Sequence, residues 1–190
     1  MLDLVPAFDY RRDLQRYRAE IDEAIARVID SGWLILGPEV ETFEQAFANS
    51  VNVKHAVGVA SGTDALILAL RAVGVKAGDE VITVANTAVP TVSAIRAIDA
   101  IPRFVDIDAS TLQMSATALS AALTSAVRCI IPVHLHGQPA DIEAIESIAD
   151  AQGIPVVSDC AQAHGAMVGN QSVGQFSSIC CYSFYPTKNL

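Results

Sequence analysis

Apolar residues recur at Leu14, Tyr17, Ile21, Ile25 and Val28, in steps of three and four that set them on one face of a helix over 13–30. Ser31 and Gly32 are its stop signal. Trp33 to Gly37 form a short apolar link, and Pro38 followed by Glu39 is a favourable first turn for a second helix reaching about Asn49. The period then changes. Short runs rich in β-branched residues recur at His55–Ala60, Glu80–Val84, Arg103–Ile107, Arg128–Val133, Ile154–Asp159 and Ile179–Phe184. Helical stretches at Asp64–Val73, Pro90–Asp99, Ala116–Leu123 and Asp141–Ala151 fill the first four intervals. Continuous apolar strands alternating with helices predict an α/β fold, a mostly parallel sheet covered on both faces. No repeat, low-complexity tract or Pro/Gly/Ser-rich linker marks a boundary inside this stretch.

The 190 residues are enough for one domain with a full core. Hydrophobic residues make up 52% and charged residues 17%, against roughly 25% charged in an ordinary soluble domain. A chain of this kind has much surface to hide, inside itself or against a partner. Twelve Lys and Arg against 21 Asp and Glu give a net charge of −9, which disfavours nucleic acid, whose phosphates need clustered cations. Although mean hydropathy is +0.38, no apolar run approaches the ~18 residues of a membrane span. The start, MLDLVPAFDYRRDLQRYRAE, is charged where an export signal needs its apolar stretch, so the expected location is cytoplasmic. Cys129, Cys160, Cys180 and Cys181 show no zinc or CxxC spacing and read as reduced, mostly buried thiols.

In open parallel sheets a ligand binds outside the carboxyl ends of the strands, and polar residues collect there. Ser61, Gly62, Thr63 and Asp64 follow the first run. Asn86, Thr87 and Thr91 follow the second; His134, His136 and Gln138 follow the fourth. Asp159 ends the fifth, with Gln162 and His164 beyond it, and Ser183 ends the sixth, with Lys188 soon after. Ser61-Gly62-Thr63 at a helix start reads as a phosphate cradle, because its N–H groups lack intrahelical partners and Gly lets an anion approach; an ordinary hydroxyl cap is the alternative. Asp159 is a strand-end carboxylate that is either solvated or, if desolvated, faced by a cation or donors. Lys188 is the sole Lys or Arg from Cys129 onward, either a surface lysine or a nucleophile able to form a Schiff base. An anion site, a buried acid and an isolated lysine are together what pyridoxal phosphate requires. His134 and His136 make a weak metal set without a third ligand, so no metal is expected. Neither GxSxG nor GxGxxG is present, and a nucleotide-binding α/β domain stays as a rival at the level of fold.

With those residues placed, the sequence resembles the DegT/DnrJ/EryC1/StrS family of pyridoxal-phosphate-dependent sugar aminotransferases. The matching stretches are SGWLILGPEVETFE, SGTDALILALRAVGVKAGDEVITVANTAVPTVSAI, FVDID, IIPVHLHGQPADIEAI, SDCAQAHGA and SFYPTKNL, in order along nearly the whole chain. The resemblance implies an aspartate-aminotransferase-like large domain (fold type I), a small C-terminal domain that this chain lacks, and a homodimer with sites between subunits. It also implies a reaction in which an amino acid, glutamate being the expected donor, supplies the amine that reaches a keto group of a nucleotide-linked sugar, in aminosugar, polysaccharide or glycoside biosynthesis. By motif, Lys188 looks like the Schiff-base lysine and catalytic base, and Asp159 like the acid that keeps the pyridine nitrogen protonated. Gln162 is similar to the residue beside the ring, and Gly62, Thr63 and Ser183 resemble phosphate ligands. A related branch that dehydrates sugars carries His at the lysine position, so Lys188 favours amino transfer.

Two departures qualify the match. Ala88 in ANTAVPT stands where many relatives place an aromatic ring that stacks on the cofactor, so ring packing there is weaker or supplied otherwise. The chain also ends two residues after the lysine, which implies about half a family member: a helical segment over 1–50 and an incomplete cofactor-binding sheet over 51–190. A non-catalytic fragment is therefore the alternative to an active transaminase. The apolar excess, on this reading, is surface meant for a dimer partner and the missing half.

Overall fold

The computed structural model describes residues 9–188. The first eight residues, which carry part of the reading of the chain's start, and Asn189 and Leu190 of the SFYPTKNL stretch lie outside the described residues.

The first predicted helix is two. Tyr10–Arg16 (α1) and Arg18–Ser31 (α2) are separated at Tyr17, whose φ/ψ of −105/12 falls outside the helical range. Tyr17 itself satisfies the apolar spacing, so periodicity cannot reveal a break there. Gly32 closes α2 in the left-handed conformation at φ 66, with its N–H bonded to the carbonyl of Ile29. No residue of α2 is buried, and Ile25 and Ile29 face outward. Pro38–Val51 (α3) starts with proline in its first turn as expected, and buries Ala48 and Val51.

The helices and strands that follow build the sheet. Gly62–Ala72 (α4) leads to Glu80–Val84 (β1), Val89–Ala97 (α5) to Ile101–Val105 (β2), and Ala116–Ala122 (α6) to Val127–Ile130 (β3). Ile142–Asp150 (α7) then precedes Val157–Asp159 (β4). A small antiparallel hairpin, Met167–Val168 (β5) with Gln171–Ser172 (β6), comes before Ile179–Cys181 (β7). β1 pairs in parallel with β2 (Glu80 with Ile101) on one side and with β3 (Ile82 with Ile130) on the other. Parallel bridges Ile130 to Val156 and Val133 to Asp159 carry the sheet on to β4, which pairs with β7 through Asp159 and Cys181. The order is thus β2, β1, β3, β4, β7, all parallel, and the chain changes direction across β1, which leaves a crevice at the strands' carboxyl ends.

Successive strand residues alternate between two apolar layers. Val81, Cys129, Ile131 and Val157 pack with Leu66 and Leu70 of α4 and Ile95 of α5; Ile82, Val84 and Ile130 pack with Leu119 of α6 and Ile142 and Ile145 of α7. That two-sided cover is the layered α/β architecture expected from the sequence.

One expected strand does not form. Residues 55–60 form neither strand nor helix and pair with no strand among the described residues, with Val57 78% exposed. Hydrophobic content attracts a strand reading, whereas a strand needs a neighbour, and among the described residues none flanks this segment. Its Gly58 N–H instead donates to the Glu44 carboxylate of α3.

Candidate active site

All six residues singled out for the site line a single cleft of about 990 Å³ at the carboxyl ends of β3, β4 and β7: Gly62, Thr63, Asp159, Gln162, Ser183 and Lys188.

One end of the cleft is the start of α4. Ser61 is the N-cap, accepting from the N–H of Asp64 at 3.1 Å and donating to the Asp64 carboxylate at 2.6 Å. The hydroxyl cap considered from sequence is therefore the one observed, and it employs Ser61 while leaving the N–H groups of Gly62 and Thr63 without helical acceptors. Gly62 has a steric reason to be glycine: a Cβ there would lie 2.9 Å from the Cβ of Ser183. The hydroxyl of Ser183 is thereby held against the helix start, where it accepts from the N–H of Tyr185 at 3.4 Å.

Asp159 is 6% exposed at the end of β4. Its Oδ2 accepts from the hydroxyl of Thr91 at 2.7 Å and its Oδ1 from the N–H of Ala161 at 3.1 Å. Burial pushes its pKa up, and Thr91, Ala161 and the charge of Lys188 oppose that rise. Of the two sequence readings, the desolvated carboxylate faced by donors and a cation is the one observed. Thr91 was visible in sequence only as one of several hydroxyls after β1. The signal that could have found it is its spacing of four from Thr87, which lies just before α5, with the two hydroxyls 2.7 Å apart.

Lys188 is half-buried and ends a tight turn in which its N–H donates to the carbonyl of Tyr185 at 2.8 Å. That turn rests on aromatic packing: Phe47 of α3 meets Tyr182 edge-on at 4.9 Å and Phe184 at 5.1 Å between ring centroids. Gln162 accepts the N–H of His136 at 2.8 Å, which ties the loop after β3 to the loop after β4. His136 sits in the left-handed region at φ 59, followed by Gly137 at φ 80.

The two histidines do not converge. His134 is fully buried: its Nδ1 accepts from the N–H of Ala140 at 3.0 Å, so its Nε2 is the protonated nitrogen facing the hydroxyl of Ser158 at 3.1 Å. Burial lowers its pKa to about 4. The four cysteines are free thiols and three are buried, with Cys129 pushed up to about 12 by burial. No helix among the described residues is long and apolar enough to cross a membrane.

Comparison with known proteins follows the same lines. The chain is 46% identical over 183 residues to a dTDP-3-amino-3,4,6-trideoxy-alpha-D-glucose transaminase of Micromonospora megalomicea, covering 96% of this chain and 49% of that protein. The crystal structure of Streptomyces venezuelae DesV in complex with a ketimine intermediate superposes with a TM-score of 0.95 at 45% identity, over 98% of this chain and 50% of that one. Bacillus subtilis NtdA with bound cofactor PMP gives 0.93 at 30% identity, over the whole of this chain (100%) and 43% of NtdA. The chain spans about half the length of the relatives it matches. A model of the DegT/DnrJ/EryC1/StrS aminotransferase family matches residues 15–190, and the chain belongs to that family.

Proposed function

We propose that this chain is the cofactor-holding part of a cytoplasmic, pyridoxal-phosphate-dependent aminotransferase that moves an amino group from an amino acid, glutamate being the expected donor, to a keto group of a nucleotide-linked sugar. The observation that carries the reading is the convergence of an anion cradle, a buried carboxylate and the lone lysine of the last third of the chain on one cleft.

The residues fit the cofactor on three structural grounds. Gly62 leaves bare the space a Cβ would fill beside Ser183, so Gly62, Thr63 and Ser183 offer two N–H groups and a hydroxyl to a phosphate. Asp159 is desolvated, yet each of its oxygens already accepts one hydrogen bond, which suits a carboxylate that must stay ionised to hold a proton on a ring nitrogen. Lys188 is half-buried on the cleft wall and is free of any salt bridge among the described residues.

When bound, pyridoxal phosphate supplies an aldehyde that takes up amines and an electron-withdrawing ring that stabilises charge on the adjoining carbon. In this reading Lys188 contributes its Nζ, first as the attachment point and then as the base that holds and returns the migrating proton. Asp159 keeps the ring nitrogen protonated by electrostatics. Gln162, which lines the cleft, is anchored through its Oε1 to the loop after β3, and its Nε2 is left as the donor for the cofactor. The sugar half of the reading is supported by the dTDP-sugar transaminase to which the chain is similar.

The test is an absorption titration. Pyridoxal phosphate added to the chain gives a band near the visible that is absent in Lys188→Ala; a folded chain giving no band overturns the proposal. Adding glutamate to the loaded chain and following conversion to the amine form of the cofactor separates a chain that transfers from one that only holds, the second reading that its half-length match favours. A homodimer belongs to the same proposal, supported by the exposed apolar run Trp33 to Leu36, and sedimentation showing a stable monomer would remove it.

A further inference from the structure

We propose that Thr91 is a positioning residue for Asp159, and that Thr87 sets the direction in which Thr91 donates. Thr91 is fully buried, and its Oγ1 lies 2.7 Å from both Asp159 Oδ2 and Thr87 Oγ1. A hydroxyl has one proton to give, and an ionised carboxylate can only accept. The proton of Thr91 is therefore committed to Asp159, and Thr87 must donate to Thr91. Both O–H bonds point the same way, from the half-buried Thr87 on the cleft wall to the carboxylate, so each strengthens the other.

With the N–H of Ala161 on Oδ1, the carboxylate has a donor on each oxygen and its plane is fixed. Protonation on Oδ2 would force the chain to reverse: Asp159 would donate to Thr91, Thr91 to Thr87, and Thr87 would turn its own proton to the cleft. The hydroxyl pair thus favours the ionised form through local hydrogen bonds rather than through net charge.

The other groups facing Asp159 do not duplicate this. Lys188 acts from the segment after β7; Cys181 of β7 and Cys160, next along the chain, are thiols held neutral by burial. No charged side chain of α4 or α5 acts on it, and the His134 ring is turned to Ser158. The consequence for catalysis, though not the geometry itself, rests on the reading of Asp159 as the partner of the ring nitrogen.

The experiment titrates the carboxyl of Asp159 by carbon-13 NMR in the cofactor-free chain, its resonance identified by its loss in Asp159→Asn. Thr91→Val raises the midpoint by about one to two pH units, the worth of a hydrogen bond to a charged group, and Thr91→Ser restores it. Thr87→Val, on the cleft side, gives a smaller rise in the same direction. An unchanged midpoint in Thr91→Val overturns the positioning role, and one unchanged in Thr87→Val overturns the assigned direction. If Thr91→Val does not fold, as judged by circular dichroism, Thr91→Ala carries the same expectation and the same power to refute. Pyridoxal phosphate affinity separates the two levels. A shifted midpoint in Thr91→Val, alongside unchanged affinity and spectrum in Asp159→Asn, removes Asp159 from the ring nitrogen and leaves Thr91 as its positioning residue.

Discussion

A Cβ on Gly62 would stand 2.9 Å from the Cβ of Ser183, so the start of α4 and the segment after β7 meet with no room for a side chain between them. The contact joins two of the proposed phosphate ligands, far apart in sequence, into one surface. Gly62→Ala should push Ser183 away from the helix start. Overpacking of this kind costs about 1–3 kcal/mol, partly offset because alanine is the better helix former. We expect pyridoxal phosphate affinity to fall about tenfold or more while the fold persists. Absorption titration beside a urea melt checks both, and unaltered affinity would move the phosphate elsewhere.

The pH dependence of stability should carry the signature of His134. Burial lowers its pKa from 6.5 to about 4. Between those values the unfolded chain binds a proton that the folded chain refuses, so stability present at neutral pH is lost as pH falls through that window. The full loss is about 3 kcal/mol. His134→Asn keeps an acceptor for the N–H of Ala140 but cannot take up the proton. It should be less stable at pH 7 and should show a flatter profile between pH 6.5 and 4. An equally steep profile in the variant would assign acid sensitivity to other groups.

Much of this architecture was legible because burial leaves a compositional trace. Val81, Ile82 and Val84 of β1, and Val156 and Val157 at β4, are apolar on both sides of the strand since helices cover both faces of their sheet. Asp159 and Lys188 stood out by position, one at a strand's end and the other alone among acidic and neutral neighbours. What sequence could not supply was pairing. Residues 55–60 have the content of a strand and no neighbour among the described residues, and Thr91 meets Asp159 across 68 positions only because α5 packs beside the sheet. Tyr17 breaks the first helix while fitting its period, since spacing records which face is apolar and not whether the backbone turns continuously.

Asp159 should show opposed effects on stability and binding. Burial raises its pKa above the 3.8 of an ordinary aspartate, so above that pH the folded chain holds a proton more tightly than the unfolded one. Stability accordingly declines as pH rises through the folded pKa. Asparagine cannot ionise, and its amide can donate to Thr91 once the hydroxyl pair reverses. The cofactor-free Asp159→Asn chain should be more stable than the parent at pH 7, with the advantage disappearing below about pH 3.8. Its affinity for pyridoxal phosphate should fall roughly ten- to hundredfold, the loss expected for a hydrogen bond to a charged group. Urea melts at the two pH values and an absorption titration measure these terms separately, and matching signs would contradict the account.

Ala88 tests where the ring lies. It is exposed on the cleft wall, at the N-cap of α5, and makes no side-chain cap there, so a larger side chain forfeits no hydrogen bond. If the cofactor ring lies beside residue 88, an aromatic side chain there would stack on it, which is worth about 0.5–1.5 kcal/mol. Ala88→Phe should therefore tighten pyridoxal phosphate binding by roughly two- to tenfold. Val89→Phe is the control, because Val89 is 76% exposed and lies off the cleft wall, so added aromatic surface there should leave affinity unchanged. Tightening in Ala88→Phe alone locates the ring beside residue 88. Tightening in both variants would mean that the new rings act by general hydrophobic attraction, and an unchanged affinity in Ala88→Phe would place the cofactor ring out of reach of α5.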